Sequence, residues 1–128
     1  AGNLLQGAEP ADVAALSGRH AAATAAEYLR GSAWPEQRVP IECEAPLQWI
    51  SPNVVSSRAS APPRGCFALR SNEFASGPRI EVAQDGRTLW DGRIRRLLPR
   101  RSARLPAGWA AQVEPAGGPV RVRLVHHG

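Results

Sequence analysis

The residues best suited to chemistry lie in the first thirty positions of the chain. Gly2 and Asn3 stand close to its start, and after a short loop Pro10 begins an alanine-rich segment that runs to Leu29. Glycine lets backbone pass close to a ligand, and the free N–H groups of a helix N-terminus attract negative charge. Dinucleotide-binding domains combine a glycine turn, a loop and a helix in this way. The segment therefore indicates the edge of a cofactor site.

The alanine-rich segment has the signals of a helix that runs from Pro10 to about Arg30. Proline suits the first helical turn, Asp12 favours the positive end of the helix dipole, and Gly31 suits the position after the helix end. A stripe of small residues follows helical spacing: Ala14, Gly18, Ala21, Ala22 and Ala25. Small side chains allow close approach. We expect this stripe to pack on the rest of the chain or on a second copy.

Beyond a linker at residues 31–37 the hydrophobic pattern changes from period 3.6 to period 2. Val39, Ile41 and Cys43 alternate with polar or proline residues, which indicates a half-buried strand. Asp85-Gly86 between two alternating runs, 79–83 and 88–97, is a strong hairpin signal. Further strand candidates follow at 101–105, 109–113 and 120–124.

Six to eight short strands with frequent turns predict a mainly β fold. We expect an N-terminal helix followed by an antiparallel, immunoglobulin-like β-sandwich. The predicted division is residues 1–34 for the loop and helix, and residues 35–128 for the sandwich.

The single-residue candidates for catalysis or metal binding are weak. Ser17 has no GxSxG context and no partnered histidine and acid, so a serine nucleophile is disfavoured. His20 stands on an alanine-rich helix, where a packed or partly exposed histidine is the better interpretation. His126 and His127 have no third ligand at a metal-site spacing. We therefore predict no catalytic residue and no metal site in the chain.

Cys43 and Cys66 are too few for a disulfide scaffold and form no CxxC motif. Buried free thiols are the favoured interpretation, and a disulfide would require that their strands be neighbours. No apolar run approaches the roughly 20 residues that cross a bilayer, and no secretory signal is visible. We expect a cytoplasmic protein with no membrane contact.

All sixteen basic residues are arginines, and the net charge is +5. Residues 35–128 carry fourteen of them against eight acids, a balance of +6. The densest group is Arg93, Arg95, Arg96, Arg100, Arg101 and Arg104, with no acid among residues 92–104. Few aromatics interleave with these arginines, so nucleic-acid binding is disfavoured. A contact surface for another part of an enzyme, or for a partner subunit, is the better interpretation.

Residues 1–30 resemble the C-terminal FAD-contacting motif of the pyridine nucleotide-disulfide oxidoreductase-like flavoproteins. In that superfamily a strand ends in Ala-Gly-Asp, and a loop leads to a helix with the pattern AxxxGxxAA. Ala1-Gly2-Asn3 is similar to the strand end, and residues 14–22 are similar to the helix. The amino-acid sequence of residues 11–20 is most similar to that of NAD(P)/FAD-dependent oxidoreductases. Some of these enzymes carry a β-rich domain after the FAD domain.

The resemblance implies five cofactor-binding residues. Gly2 would give close backbone approach, and Asn3, where the family has Asp, would face the ribityl chain or pyrophosphate of FAD. An amide can donate as well as accept a hydrogen bond, so Asn3 can keep a ribityl contact. Ala11, Asp12 and Val13 would begin a helix directed at the pyrimidine edge of the flavin.

The implied function is that of the C-terminal part of an FAD-dependent oxidoreductase, which transfers hydride at flavin and is linked to NAD(P). The GxGxxG fingerprint is absent from the sequence, so most of the active site would lie upstream of residue 1. We expect the fragment alone to be inactive and not to hold FAD. Its partners would be the remainder of the parent enzyme, and a homodimer or a partner subunit. The alternative is a non-enzymatic β-sandwich module for interaction or oligomerisation.

Overall fold

A computed structural model describes residues 10–33, 35–56 and 61–125. Gly2, Asn3, His126 and His127 lie outside the described residues, so the predictions that involve them stay predictions. Over the described residues the chain is mainly β with one N-terminal helix, as the sequence pattern predicts.

Helix α1 spans Ala11–Leu29, within one residue of the predicted range. Pro10 precedes it in an extended conformation (φ −56°, ψ 146°) and has no side chain that could cap the first turn. At the other end Gly31 adopts φ 90°, the left-handed conformation that glycine adopts without steric cost. Both predicted end signals therefore act as expected.

Within the described ranges, ten strands and two 3₁₀ turns follow the helix. The 3₁₀ turns are Pro63–Gly65 and Gly108–Gln112. The strands are β1 Arg38–Cys43, β2 Leu47–Ser51, β3 Val54–Ser56, β4 Cys66–Ser71, β5 Ala75–Ser76, β6 Arg79–Gln84, β7 Arg87–Arg93, β8 Arg96–Leu97, β9 Ala103–Pro106 and β10 Val120–Val125.

The strands form three sheets. The largest has the order β3-β1-β10-β6-β7, the second has the order β2-β4-β9, and β5 pairs with β8 alone. The prediction of a wholly antiparallel domain is wrong at one place, because β1 pairs with β10 in parallel, with Ile41 opposite Val120. These strands begin and end the β-rich part of the chain, so the connection between them is long enough for parallel pairing.

The predicted hairpin at Asp85-Gly86 is confirmed. β6 and β7 pair in antiparallel fashion, with Gln84 opposite Arg87 across the two-residue turn. Asp85 has φ 48° and Gly86 has φ 80°. Two successive positive φ values define the type I′ turn, whose twist matches that of the flanking strands.

The core is one cluster of buried apolar residues, most of which come from alternate positions of the strands. On β6, Ile80 and Val82 are buried while their neighbours are partly exposed, and β10 repeats the pattern with Val120 and Val122. The buried apolar residues are Val39, Ile41, Leu47, Ile50, Phe67, Leu69, Ile80, Val82, Leu89, Ile94, Leu97, Leu105, Trp109, Val120 and Val122. Removal of this apolar surface from water is the main force that stabilises the fold.

Two segments differ from their predicted strands. Residues 109–113 were expected to be extended, but the chain forms a 3₁₀ turn at Gly108–Gln112 that buries Trp109 against Phe67, with ring centroids 4.7 Å apart. The free energy gained when the large Trp109 indole stacks on Phe67 outweighs the weak tendency of residues 109–113 to form a strand. The run 88–97 is interrupted after Arg93, and its last residues form the separate strand β8.

Candidate functional site

The start of α1 is the described part of the predicted cofactor site. Ala14 donates its N–H to the carbonyl of Pro10 (3.0 Å), which closes the first helical turn. Among the described residues, the N–H groups of Ala11, Asp12 and Val13 have no hydrogen-bond acceptor. A helix start of this kind presents three donors and the positive end of the helix dipole to a negatively charged group.

The Asp12 side chain faces the β-rich part of the chain. Its carboxylate accepts hydrogen bonds from both terminal nitrogens of the Arg64 guanidinium at 3.4 Å. The prediction that Asp12 favours the helix dipole agrees with its place in the first turn, but it makes no capping hydrogen bond. Arg64 partly neutralises the carboxylate, so Asp12 opposes an approaching anion less than an unpaired acid would.

Two grooves separate α1 from the strands. The smaller, of about 570 Å³, runs beside the first half of the helix and is bordered by Val13, Leu16, Phe67, Arg101 and Arg104. The larger, of about 830 Å³, runs beside the second half and is bordered by Tyr28, Val39, Val55, Ala110 and Val113. Both volumes are in the range of small-molecule sites, and His20 borders both grooves.

None of the five small residues of the α1 stripe borders either groove. No residue of the helix is buried; Ala21, Ala22 and Ala25 are exposed, and Ala14 and Gly18 are partly exposed. The expectation that the stripe packs on the β-rich part is therefore wrong for this structure, and its packing on a second copy stays a prediction. Alanine and glycine side chains remove little apolar area from water, so they give the helix little free energy for docking.

The side chains considered as nucleophiles stand apart. Ser17 and His20 lie on α1, where Ser17 borders the smaller groove and His20 borders both. Cys43 and Cys66 are free thiols on β1 and β4, which are not neighbours in a sheet. The prediction that both are free is confirmed, but both are only partly buried, whereas buried thiols were expected. Burial raises the pKa of the Cys43 thiol to about 11 from 9.0, which makes it a weak nucleophile near neutral pH.

The arginines of residues 93–104 are all exposed. Arg93 donates to the carbonyl of Gly77. Within the described ranges, Arg95, Arg96, Arg100, Arg101 and Arg104 make no hydrogen bond or ion pair through their side chains. The paired arginines lie elsewhere: Arg79 binds Asp91 and Arg123 binds Glu81 on the β6 side of the large sheet. The predicted charge cluster is therefore one continuous, mostly unpaired stretch of surface.

Sequence reasoning missed two features of these surfaces. Arg64 lies 52 residues from Asp12, and no local pattern indicates their contact. Phe74 is 64 % exposed, although an aromatic residue is expected to be covered. Its signal in the sequence was its place in the polar segment 71–77, which lacks any alternating apolar neighbour.

Comparison with protein-family models, with curated proteins and with solved structures finds no match. Within residues 10–33, 35–56 and 61–125, no three histidine, cysteine or acidic side chains are grouped so that they could hold a metal ion. No helix in this part of the chain combines the length and the apolar character that a membrane span requires.

Proposed function

We propose that this chain is the C-terminal part of an FAD-dependent, NAD(P)-linked oxidoreductase. The observation that carries the proposal is the start of α1. The helix begins at Ala11, eight residues after the Gly2-Asn3 pair, and it begins without a side-chain cap. This is the arrangement that the resemblance to the flavoprotein motif implies.

The described residues fit a flavin at this place. The N–H groups of Ala11, Asp12 and Val13 would donate to the pyrimidine edge of the ring system, and the helix dipole would favour negative charge there. FAD, when bound, supplies the hydride chemistry itself. Gly2 and Asn3 would hold the ribityl chain or the pyrophosphate, and the Arg64 guanidinium would draw the Asp12 carboxylate away from the flavin.

The β-rich residues 35–128 would orient or close the parent enzyme. We propose that they form an immunoglobulin-like sandwich, with the five-stranded and three-stranded sheets as its two layers. The buried residues of β6 and β10 on one side and of β4 on the other support this arrangement. A cytoplasmic location is proposed with it.

The experiment tests the full-length parent protein, because most of the site would lie outside this chain. We expect its upstream sequence to contain a GxGxxG fingerprint directly after a strand, and the purified protein to show a flavin absorbance spectrum that NADH or NADPH bleaches. A parent protein that has neither the fingerprint nor bound flavin would show that the proposal is wrong.

A substitution in the parent protein tests the role of α1. Ala11→Pro removes one N–H at the first helical position, where proline is tolerated, and Pro10 already has the extended conformation that a following proline requires. Loss of a hydrogen bond to a charged group predicts FAD affinity about tenfold to a hundredfold weaker. Ala11→Ser keeps the N–H and is the matched control. Equal FAD affinity in both variants would show that the start of α1 does not bind FAD.

A second candidate function is that of a non-enzymatic interaction module. The unpaired arginines of residues 95–104 and the exposed Phe74 favour it, because they form a surface that the fold itself does not use.

A further inference from the structure

The smallest sheet presents an exposed face that no described element covers. In the β5-β8 pair, Ala75 is opposite Leu97 and Ser76 is opposite Arg96. Leu97 is fully buried and Ala75 is partly buried, so the alternate residues point outward. Phe74 and Arg96 are both exposed, and they share this outward face.

A tight turn follows β8 directly, and its last residue, Arg101, also borders the smaller groove beside α1. Arg101 donates its N–H to the carbonyl of Leu98 at 3.1 Å, and the two residues form an isolated bridge. Pro99 and Arg100 are the central residues of the turn, and both are exposed. We call Phe74, Arg96, Arg100 and Arg101 together the Phe74 patch.

The backbone of Arg100 points to a role for its side chain. Arg100 adopts φ 63° at the third position of a turn whose second residue is proline. Glycine or asparagine is preferred there, because a larger side chain is strained in the left-handed region. The Arg100 side chain makes no hydrogen bond or ion pair with the described residues that would compensate for this strain. The fold itself therefore does not require an arginine here. Such strain is typical of positions that serve a contact outside the chain.

The positive charges of the Phe74 patch also form no ion pair within the described residues. Arg96, Arg100 and Arg101 form no ion pair with any acid of the described ranges, whereas Arg79, Arg121 and Arg123 each do. Because residues 92–104 contain no acid, nothing in that segment offsets the positive potential. A complementary partner must therefore supply negative charge.

We propose that the Phe74 patch is a docking surface for an acidic segment of another protein chain, which presents carboxylates around an apolar side chain. Guanidinium groups match carboxylates in a two-pronged geometry, and an exposed aromatic beside arginines is the composition of interface hot spots. Phe74 would pack on the apolar side chain, and the three arginines would bind the surrounding carboxylates. This proposal stands independently of the flavoenzyme proposal.

The same face is a poor site for single-stranded nucleic acid. Such sites stack successive bases on several aromatic side chains, and Phe74 is the one exposed aromatic in the described part of this surface.

Binding is measured by fluorescence anisotropy with the 128-residue chain and a labelled synthetic peptide of aspartates and glutamates around one central leucine. Phe74→Ala and Arg100→Gly should each weaken binding about tenfold or more. Arg100→Gly relieves the strained φ, so its loss of binding does not reflect unfolding. Arg19→Ala removes an equal charge from the exposed surface of α1 and should change affinity less than twofold.

Several outcomes would overturn the proposal. The first is equal binding by the Phe74→Ala variant, or equal binding of a peptide whose central leucine is replaced by serine. The second is an equal loss of affinity in Arg19→Ala, which would indicate attraction by net charge alone. The third is tighter binding of a single-stranded oligonucleotide than of the acidic peptide. The fourth is a homodimer in light scattering that Arg100→Gly dissociates, since the occupant would then be a second copy.

Discussion

The side-chain amide of Gln84 forms two hydrogen bonds with the backbone of Glu114, one with its N–H and one with its carbonyl. Its Oε1 accepts a hydrogen bond from the Glu114 N–H at 2.8 Å, and its Nε2 donates to the Glu114 carbonyl at 2.9 Å. The same Nε2 donates to the carbonyl of Gly118. Gln84 is 3 % exposed and ends β6, so these bonds join the hairpin turn to the loop that leads into β10. The bonds therefore hold the neighbouring strands β6 and β10 of the large sheet together at one end.

Gln84→Leu should destabilise the chain by about 2–3 kcal/mol. The substitution keeps the side-chain size but leaves the N–H of Glu114 without its partner in a partly buried place, while the Glu114 carbonyl keeps the Gly117 N–H as a donor. The free energy of unfolding in urea measures the effect. Gln37→Leu, at an exposed position, is the matched control and should change stability by less than about 0.5 kcal/mol. Equal losses in the two variants would contradict the structural role of Gln84.

Gly117→Ala should also be destabilising, because a Cβ there would lie 2.6 Å from Nε2 of Gln84. Hydrogen bonds fix this side chain, so it cannot move away without losing them. We expect a cost of about 1–3 kcal/mol. At Gly108 a Cβ would meet nothing within 4 Å, so Gly108→Ala should leave stability unchanged or raise it by up to about 1 kcal/mol. Thermal unfolding of both variants separates steric conflict from the general effect of removing a glycine.

Trp109→Phe should be better tolerated than Phe67→Ala. Trp109 is 1 % exposed, and its indole Nε1 has no hydrogen-bond partner among the described residues. Phenylalanine keeps the stacking on Phe67 and removes the unpaired donor, so we expect a loss below about 2 kcal/mol. Phe67→Ala removes a buried ring and should cost about 3–5 kcal/mol. Urea unfolding checks the order of the two values, and a Trp109→Phe cost as large as that of Phe67→Ala would contradict it.

Local signals in the sequence predicted local structure well. Pro10 and Gly31 placed the ends of α1, and Asp85-Gly86 placed the hairpin, because each acts on φ values within a few residues. The parallel pairing of β1 with β10 could not be predicted in this way, since its residues are about 80 positions apart and no turn connects them.

The candidate site also combines features that local sequence signals predict with features that depend on long-range contacts. The start of α1 at Ala11 follows from the local signals, whereas the Asp12–Arg64 pair depends on a contact between distant segments. The sequence could not decide between the two predicted contacts of the small-residue stripe, the rest of the chain or a second copy, for a different reason. Helical spacing shows which residues share a face, but alanine and glycine bury too little area to decide what that face contacts.

Alkylation should distinguish the two thiols. Because burial raises the pKa of Cys43 to about 11 from 9.0, the thiolate fraction near neutral pH falls by on the order of a hundredfold. The Cys66→Ser variant retains Cys43 alone, and iodoacetamide should modify it far more slowly when folded than when unfolded in urea. The Cys43→Ser variant is the matched control for Cys66. Equal folded and unfolded rates for Cys43, after correction for denaturant, would contradict the raised pKa.

The same shift predicts a pH dependence of stability. The folded state holds the Cys43 proton more tightly than the unfolded state, so its contribution is complete below about pH 9 and is lost as the pH rises through about 11. Cys66→Ser, which retains this thiol, should therefore lose stability over that range more steeply than a variant in which both cysteines are serines. Urea unfolding at stepped pH measures the difference. Parallel curves for the two variants would show that Cys43 ionises equally in the folded and unfolded states.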